Sequence, residues 1–222
     1  MTTHLFTLIS GYVAHLTWLH ITRSIVLDYA IISLLEYAAH RWFMHRNFAR
    51  FLNSEYLRAS FMEHMQHHGK CYNIFDHEEQ PCGLLNLTIQ FSTELLVSAP
   101  PAVALFFIDP LAACLLPMFA LLHGALWSAV HQEMHRPVQT WFSSTSMFRY
   151  LNKYHFLHHR HMGTNFNTLF LGWDWLLFTA ARATELDLQE IAQATWQVRP
   201  NRVDAALLER SKLAREARAR HA

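Results

Sequence analysis

Charged residues are scarce in this chain, which argues against an ordinary soluble domain. Asp, Glu, Lys and Arg make up 16% of the 222 residues, while 52% are hydrophobic and 14% aromatic. A typical globular domain carries about 25% charged residues. The formal net charge is only +1, so neither an acidic tail nor a basic nucleic-acid-binding face is indicated. The composition favours a membrane protein and excludes nucleic acid as an expected partner.

Cysteine is also scarce, with only Cys71, Cys82 and Cys114 in the chain. They form neither a C-x-x-C motif nor a dense framework, so we expect no disulfide stapling and favour a reducing, cytoplasm-facing compartment. A basic segment before the first apolar run and a small-residue cleavage site are both missing. We therefore expect no removable signal peptide, and membrane insertion would depend on the helices themselves.

Four apolar segments approach or exceed the length of a bilayer span, which is about 20 residues. They are residues 5–21, 25–43, 84–108 and 111–130. The last two are joined by Asp109-Pro110, a strong turn signal that predicts a helical hairpin. We predict an all-α, multi-pass membrane bundle of about four transmembrane helices. It forms one domain over residues 1–182, followed by a charged C-terminal tail over 183–222.

The polar parts of the chain predict its orientation in the membrane. Residues 46–81 are rich in charge and lie outside the lipid in this prediction. Basic residues collect at 41–70, at 136–160 and beyond 182, whereas the Asp109 turn has none nearby. The positive-inside tendency therefore places all three basic regions on the cytoplasmic side, as a helical cap on the bundle.

Histidine is abundant, with 17 copies, and ten of them fall in four clusters near the predicted cytoplasmic helix ends. Residues three or four apart on an α-helix share one face, so three of the clusters can aim their imidazoles at a common point. His40 and His45, five apart, would lie about 140° apart, so the helix is predicted to end or distort between them. The ten clustered residues are His40, His45, His64, His67, His68, His131, His135, His155, His158 and His159.

Ten clustered imidazoles predict a metal centre with more than one ion. Neutral imidazole suits zinc, iron, copper and nickel, so the histidines alone do not select the metal. A tetrahedral zinc takes four ligands, whereas two six-coordinate ions with open positions for oxygen can share about ten nitrogens. This favours a dinuclear, oxygen-activating centre. Isolated histidines such as His15, His20 and His123 are expected to be packed or interfacial, and His77 and His161 are weaker ligand candidates.

Two other metalloenzyme motifs are excluded by residue spacing. His131 and His135 resemble the zinc-protease motif H-E-x-x-H, in which a glutamate acts as general base. Glu133, however, lies two residues after His131 and is rotated by about 200° from it, so it points away from both histidines. The paired Glu-x-x-His motifs of soluble di-iron bundles are not present either.

The four clusters resemble the fatty acid hydroxylase and sterol desaturase superfamily of integral-membrane, non-haem di-iron enzymes. The resemblance covers residues 36–179 and includes Asn165-Phe166 and Trp173-Asp174 after the last cluster. Asn167 stands where the family commonly has glycine, and Phe178-Thr179-Ala180 only approximates the usual end of the segment. The arrangement is nearer to the fatty-acyl hydroxylase branch than to the sterol branch.

The resemblance implies a function as well as a fold. It implies that the ten clustered histidines bind two iron ions, which activate O2 and attack an unactivated C–H bond of a lipid, most directly a fatty-acyl chain. A separate electron-donor protein is expected, because the chain has no room for a fused donor domain. A lipid, sterol or carotenoid desaturase or oxidase remains an alternative. So does a non-catalytic metal-binding membrane protein, although a transporter would place its ligands at the membrane midplane.

Three further residues are candidates for orienting the ligands: Glu36, Asn165 and Asp174. A metal-bound histidine usually donates its second N–H to a carboxylate or carbonyl. Glu36 lies one helical turn before His40, and a carboxyl group within a membrane helix is costly without a partner. We therefore predict that Glu36 faces His40. Residues 163–179, rich in Trp and Phe, are expected to be interfacial or packed under the site.

Overall fold

The computed structural model describes residues 17–46, 48–51, 54–70, 84–135 and 140–194. Within these ranges all regular structure is helical, which confirms the all-α prediction. A π-helical segment, Ala39–Met44, continues α1, and a short 3-10 helix covers Phe48–Phe51. The α-helices are α1 (Trp18–Ala38), α2 (Glu55–Lys70), α3 (Leu84–Phe106), α4 (Pro110–His135), α5 (Ser146–Arg160), α6 (Gly172–Leu176) and α7 (Glu185–Ala194).

Helix α1 begins earlier than the sequence predicts. Its N-cap is Thr17, whose side chain accepts a hydrogen bond from the His20 backbone N–H at 3.2 Å. The helix then passes through Arg23 without a break, so the predicted boundary between residues 21 and 25 is wrong. Arginine is a good helix former, so Arg23 does not interrupt the helix. Its guanidinium donates to the Asp109 carboxylate at 2.8 Å. Most of the predicted span 5–21 lies outside the described residues.

The hairpin predicted at Asp109-Pro110 is confirmed. Helix α3 ends at Phe106 and α4 begins at Pro110. Proline is favoured at the first position of a helix. The buried Asp109 carboxylate accepts from the Ala112 backbone N–H at 3.2 Å and from Ser24 Oγ at 2.9 Å. The turn is thereby fixed to the start of α1, at the end opposite the histidines.

Helix α4 packs against both α1 and α3. The shared core combines small and branched side chains: Ile32, Leu105, Ala112, Ala113, Leu116 and Ala120. Alanines in such a contact let helix backbones approach closely. The outer faces of the helices stay exposed and apolar, as at Leu96, Val103 and Met118.

Two helices in the described ranges are long and apolar enough to cross a membrane, Trp18–Met44 and Pro110–His135. Only 22% of the most apolar stretch of each is buried inside the molecule. The central helix of a soluble protein would be mostly buried. The described apolar part of α3, Thr93–Phe106, is shorter than these two.

The remaining helices lie at the end of the bundle where α1 and α4 finish. Helix α5 is N-capped by Thr145 and buries Phe148, Leu151 and Tyr154 against Met134 of α4. Residues 163–179 form a loop and the short α6 rather than a span. Asn165 and Phe166 in this segment are buried, whereas Trp175 and Phe178 are exposed.

Candidate metal centre

The π-helical segment positions the first histidine pair. The His45 backbone N–H donates to the His40 carbonyl at 3.1 Å, a bond across five residues. Such bonding is characteristic of a π-helix, and it places side chains five residues apart near one another. The two imidazole ring centres lie 5.1 Å apart. The distortion predicted between His40 and His45 is therefore confirmed.

Five histidines form a first group around one point. A ring nitrogen from each lies within 4.8 Å of every other in the group. His64 Nε2 is 3.1 Å from His40 Nε2, 2.9 Å from His45 Nε2 and 3.1 Å from His68 Nε2. His158 Nε2 lies 3.1 Å from both His45 Nε2 and His68 Nε2. The first group is His40, His45, His64, His68 and His158.

A second group lies beside the first. His67, His131, His135 and His155 place ring nitrogens within 4.8 Å of one another. His159 lies beside this group, with its Nε2 3.1 Å from His155 Nε2 and its ring centre 4.7 Å from that of His135. The rings of His159 and of His68, from the first group, stack at 4.3 Å.

The structure thus brings the ten predicted histidines together, five in the first group and four in the second, with His159 beside the second. Helix α2 contributes His64 and His68 to the first group and His67 to the second. Helix α5 contributes His158 to the first group and His155 to the second, and its His159 lies beside the second. Because α2 and α5 both serve both groups, any movement of either helix would alter the two groups together.

The short contacts between ring nitrogens are not hydrogen bonds. A ring nitrogen carries one N–H or one lone pair, yet His64 Nε2 has three other Nε2 atoms within 3.1 Å. Ligands of one ion behave differently. With a metal–nitrogen bond of about 2.0–2.1 Å, nitrogens at right angles lie about 2.8–3.0 Å apart, and tetrahedral ones about 3.3–3.4 Å. The observed distances of 2.8–3.1 Å lie closer to the right-angle arrangement than to the tetrahedral one.

Two ligands have their tautomer fixed by backbone carbonyls. His40 Nδ1 donates to the Phe166 carbonyl, and His158 Nδ1 donates to the Thr164 carbonyl at 2.7 Å. A carbonyl can only accept, so in both residues Nδ1 carries the proton and Nε2 presents a lone pair to the group. This is the usual arrangement of a metal-bound histidine.

The imidazoles of the cap are held in the neutral form that binds metal. Burial lowers the pKa of His45 to about 4. Burial and the neighbouring His45 and His67 lower the pKa of His68 to about 3. Burial, with the adjacent imidazoles, also holds the pKa values of His155 and His158 well below the usual range. No proton need leave these side chains when a metal binds near pH 7. The two buried groups can therefore each hold a metal ion.

Asp174 and Asn165 act on the loop rather than on the ligands directly. Asp174 Oδ1 accepts from the Phe166 backbone N–H at 2.9 Å, and Oδ2 accepts from the Asn167 backbone N–H at 2.8 Å. Asn165 adopts φ 55°, a left-handed conformation that asparagine tolerates well. Its side chain donates to the Tyr154 carbonyl at 3.0 Å. Both residues fix the backbone whose carbonyls orient His40 and His158.

The prediction that Glu36 faces His40 is wrong. Glu36 Oε1 accepts from the Thr168 backbone N–H at 2.7 Å, and Oε2 accepts from Asn167 Nδ2 at 3.1 Å. The free nitrogen of His40 is instead satisfied by the Phe166 carbonyl. The Glu36 carboxylate thus binds the loop instead of His40. The partner of His40 is a backbone carbonyl, for which the sequence gives no signal.

Residues outside the two groups have structural partners. The buried Glu133 accepts from Ser143 Oγ and from the Thr140 backbone N–H, so it points away from the ligands as predicted. His20 lies 3.3 Å from Asp109, and His161 lies 3.4 Å from Asp187. Cys114 is exposed with a free thiol. His77, Cys71 and Cys82 lie outside the described residues.

Known proteins offer no match. Comparison of the chain with protein-family models, with curated proteins and with solved structures finds none that matches. A functional interpretation therefore depends on the geometry of the two histidine groups, on the exposed apolar helices and on the motif resemblance.

Proposed function

We propose that this chain is an integral-membrane, non-haem di-iron monooxygenase that hydroxylates a C–H bond of a lipid, a fatty-acyl chain being the first candidate. One observation carries the proposal: a group of five histidines adjoins a group of four, and neighbouring ring nitrogens in both come within 2.8–3.1 Å of one another, as ligands of one ion would. Five nitrogens leave a six-coordinate ion one open position, and four leave two. A structural zinc site would instead be closed by four tetrahedral ligands.

Iron is the metal we propose for both groups. Imidazole suits several transition metals, and iron centres with open positions are typical of oxygen-activating enzymes. With two irons bound, the centre would allow two external electrons to reduce O2. One oxygen atom would be inserted into the C–H bond, and the other would be released as water. The ten imidazoles hold the metal ions, and the 164–168 loop keeps His40 and His158 in the binding tautomer.

The proposed enzyme lies across the membrane with its histidines near the cytoplasmic surface, on a bundle of about four spans. Helix α1, with 21 residues, is about 30 Å long, which equals the thickness of the hydrocarbon core. The exposed aromatic side chains Trp141, Trp175 and Phe178 lie at the histidine end of the molecule. Trp is enriched at membrane surfaces, which supports this placement.

The lipid would reach the centre from within the bilayer. Trp127, on α4, stacks on the ring of His131 with centres 4.4 Å apart, so an apolar wall adjoins the second group. A methylene sliding along this wall would lie beside the metal ligands. Electrons would come from a separate donor protein on the cytoplasmic side.

The proposal is tested by substituting His158. Protein purified from membranes in detergent should contain two iron ions per chain, and lipids from expressing cells should gain one oxygen atom by mass spectrometry. His158→Ala removes a buried ligand, so it should abolish the oxidised lipid and lower the iron content, with membrane insertion retained.

His161→Ala is the matched control, because His161 is the next histidine after the His155–His159 run and lies outside both groups. It should keep both the iron and the product. One iron or none in the wild type would contradict the dinuclear centre. Lipids that lose two hydrogen atoms instead of gaining oxygen would identify a desaturase.

A further inference from the structure

A second set of ionisable side chains lies inside the helical bundle, away from the histidine groups. Glu36 of α1 and His123 of α4 are both largely buried, with 9% and 4% of their side chains exposed. Glu36 Oε2 lies 3.3 Å from His123 Nε2. Glu94 of α3 lies within electrostatic range of both. His123 and Glu94 have no part in the metal centre.

Gly124 makes room for Glu94 beside His123. A Cβ atom at position 124 would lie 3.0 Å from Glu94 Cγ and 3.3 Å from Glu94 Oε1. The Glu94 side chain therefore crosses the helix backbone where no side chain blocks it. Three helices thus contribute one polar side chain each to the same buried region, and the edge of the Tyr29 ring faces His123 with centres 6.3 Å apart.

His123 has an unmet hydrogen-bonding group. Both ring nitrogens are buried and neither makes a hydrogen bond of good geometry among the described residues, although Nε2 lies 3.3 Å from Glu36 Oε2. A buried polar atom without a partner costs free energy, so such atoms are normally satisfied by water or by a ligand. The His123, Glu36 and Glu94 atoms do not converge as the two histidine groups do. A hydrogen-bonding ligand suits this region better than a metal ion.

We propose that His123 binds an uncharged hydroxyl group of the lipid substrate through Nδ1, with the Glu36 carboxylate beside Nε2. This deepens the proposed function by naming a substrate class, and it depends on that function for the identity of the ligand as substrate. Two carboxylates stand beside one imidazole, so a carboxylate or phosphate group would be repelled. The site therefore favours an alcohol over a free fatty acid.

The position of the site also constrains which carbon is oxidised. Glu36 precedes His40 by four residues and His123 precedes His131 by eight, which corresponds to about 6 Å and 12 Å along the two helix axes. A hydroxyl bound at His123 would therefore lie several carbon–carbon bonds from the carbon presented to the metal ions. The alcohol end of the lipid would enter the bundle first.

The test measures binding of three probes that differ only at one end: octadecanol, octadecane and stearic acid. Full-length protein, purified with its metal in detergent, should bind octadecanol at least tenfold more tightly than octadecane, and stearic acid no more tightly than octadecane. His123→Phe should remove the preference for the alcohol while leaving octadecane binding unchanged. His20→Phe, at the other end of the bundle, is the control and should keep the preference.

The Glu94→Gln variant provides a second binding measurement, which does not depend on whether His123→Phe folds. Removing one carboxylate should raise the affinity for stearic acid at least tenfold. Each of three results would overturn the proposal. The first is that the wild type binds stearic acid as tightly as octadecanol, the second is that His123→Phe keeps the preference for the alcohol, and the third is that Glu94→Gln shows no gain in affinity for stearic acid. Metal content is measured on the same samples. Two irons without alcohol preference would refute only this inference, whereas alcohol preference without iron would refute only the proposed function.

Discussion

At the scale of single residues, the orientation of the clustered histidines depends on side chains that do not touch them. Asp174 accepts two backbone N–H groups from the loop that contains Phe166. The carbonyls of Phe166 and Thr164 then accept from His40 and His158. The buried Asp174 carboxylate thus fixes the backbone at Phe166, whose carbonyl orients His40.

Replacing Asp174 with asparagine tests this chain of contacts. In the wild type the carboxylate accepts hydrogen bonds from two backbone N–H groups. The asparagine NH2 would face one of these N–H groups, which would then lack an acceptor at a cost of about 1–3 kcal/mol. We expect a lower free energy of unfolding and a loss of metal from the first group. Thermal unfolding and metal content per chain measure the two effects. The exposed Glu185→Gln should change neither, and wild-type values in Asp174→Asn would refute the role.

Much of the site could be predicted from the sequence at this scale, but the orienting contacts could not. The four clusters identify the ten histidines because their spacing is set by helix periodicity, which is local. The partner of Glu36 is not local: the loop at Asn167 and Thr168 is more than 130 residues away along the chain. Almost every residue has a backbone N–H and a carbonyl, so neither the N–H groups of this loop nor the Phe166 carbonyl leaves a signal in the sequence.

At the scale of secondary structure, the π-helical segment Ala39–Met44 is the element on which the first group depends. An α-helix would turn His40 and His45 away from each other, whereas bonding across five residues keeps them together. The sequence predicted a distortion here but not its type, because a helix end would also have satisfied the spacing. The hairpin at Asp109-Pro110 was more predictable, since its signal is contained in two adjacent residues.

Changing the length of this segment by one residue tests its importance. An alanine inserted between Arg41 and Trp42 would separate the histidines by six residues, so we expect the metal content to fall from two ions to about one per chain. Deleting Trp42 instead gives a spacing of four, which an ordinary α-helix places on one face. This deletion variant should keep both ions. Two ions in the insertion variant would show that the π geometry is dispensable.

At the scale of the whole molecule, two clusters of polar side chains lie at the two ends of the apolar helices, and the buried Glu36, Glu94 and His123 lie between them. The Asp109 carboxylate, with Arg23, His20 and Ser24, closes one end, and the ten histidines lie at the other. Between them the helices expose apolar faces. This arrangement of the two clusters is what a membrane orientation with one cytoplasmic metal centre requires.

Cysteine labelling tests that orientation. With Cys71, Cys82 and Cys114 replaced by serine, a cysteine at Glu185 should react with a membrane-impermeant thiol reagent only after the cytoplasmic side is opened. A cysteine at Phe107, which is exposed in the hairpin turn, should react in intact cells. Both positions reacting from the same side would refute the predicted topology and the shared cytoplasmic placement of the clusters.

The use of main-chain carbonyls to orient ligands has a consequence for how this site can vary among proteins. A side chain at position 164 can change without altering the carbonyl that accepts from His158, provided the backbone keeps its path. Selection would then act on the residues that fix the path, Asp174 and Asn165, and leave Thr164 comparatively unconstrained. Part of the site would diverge in sequence while remaining the same in space.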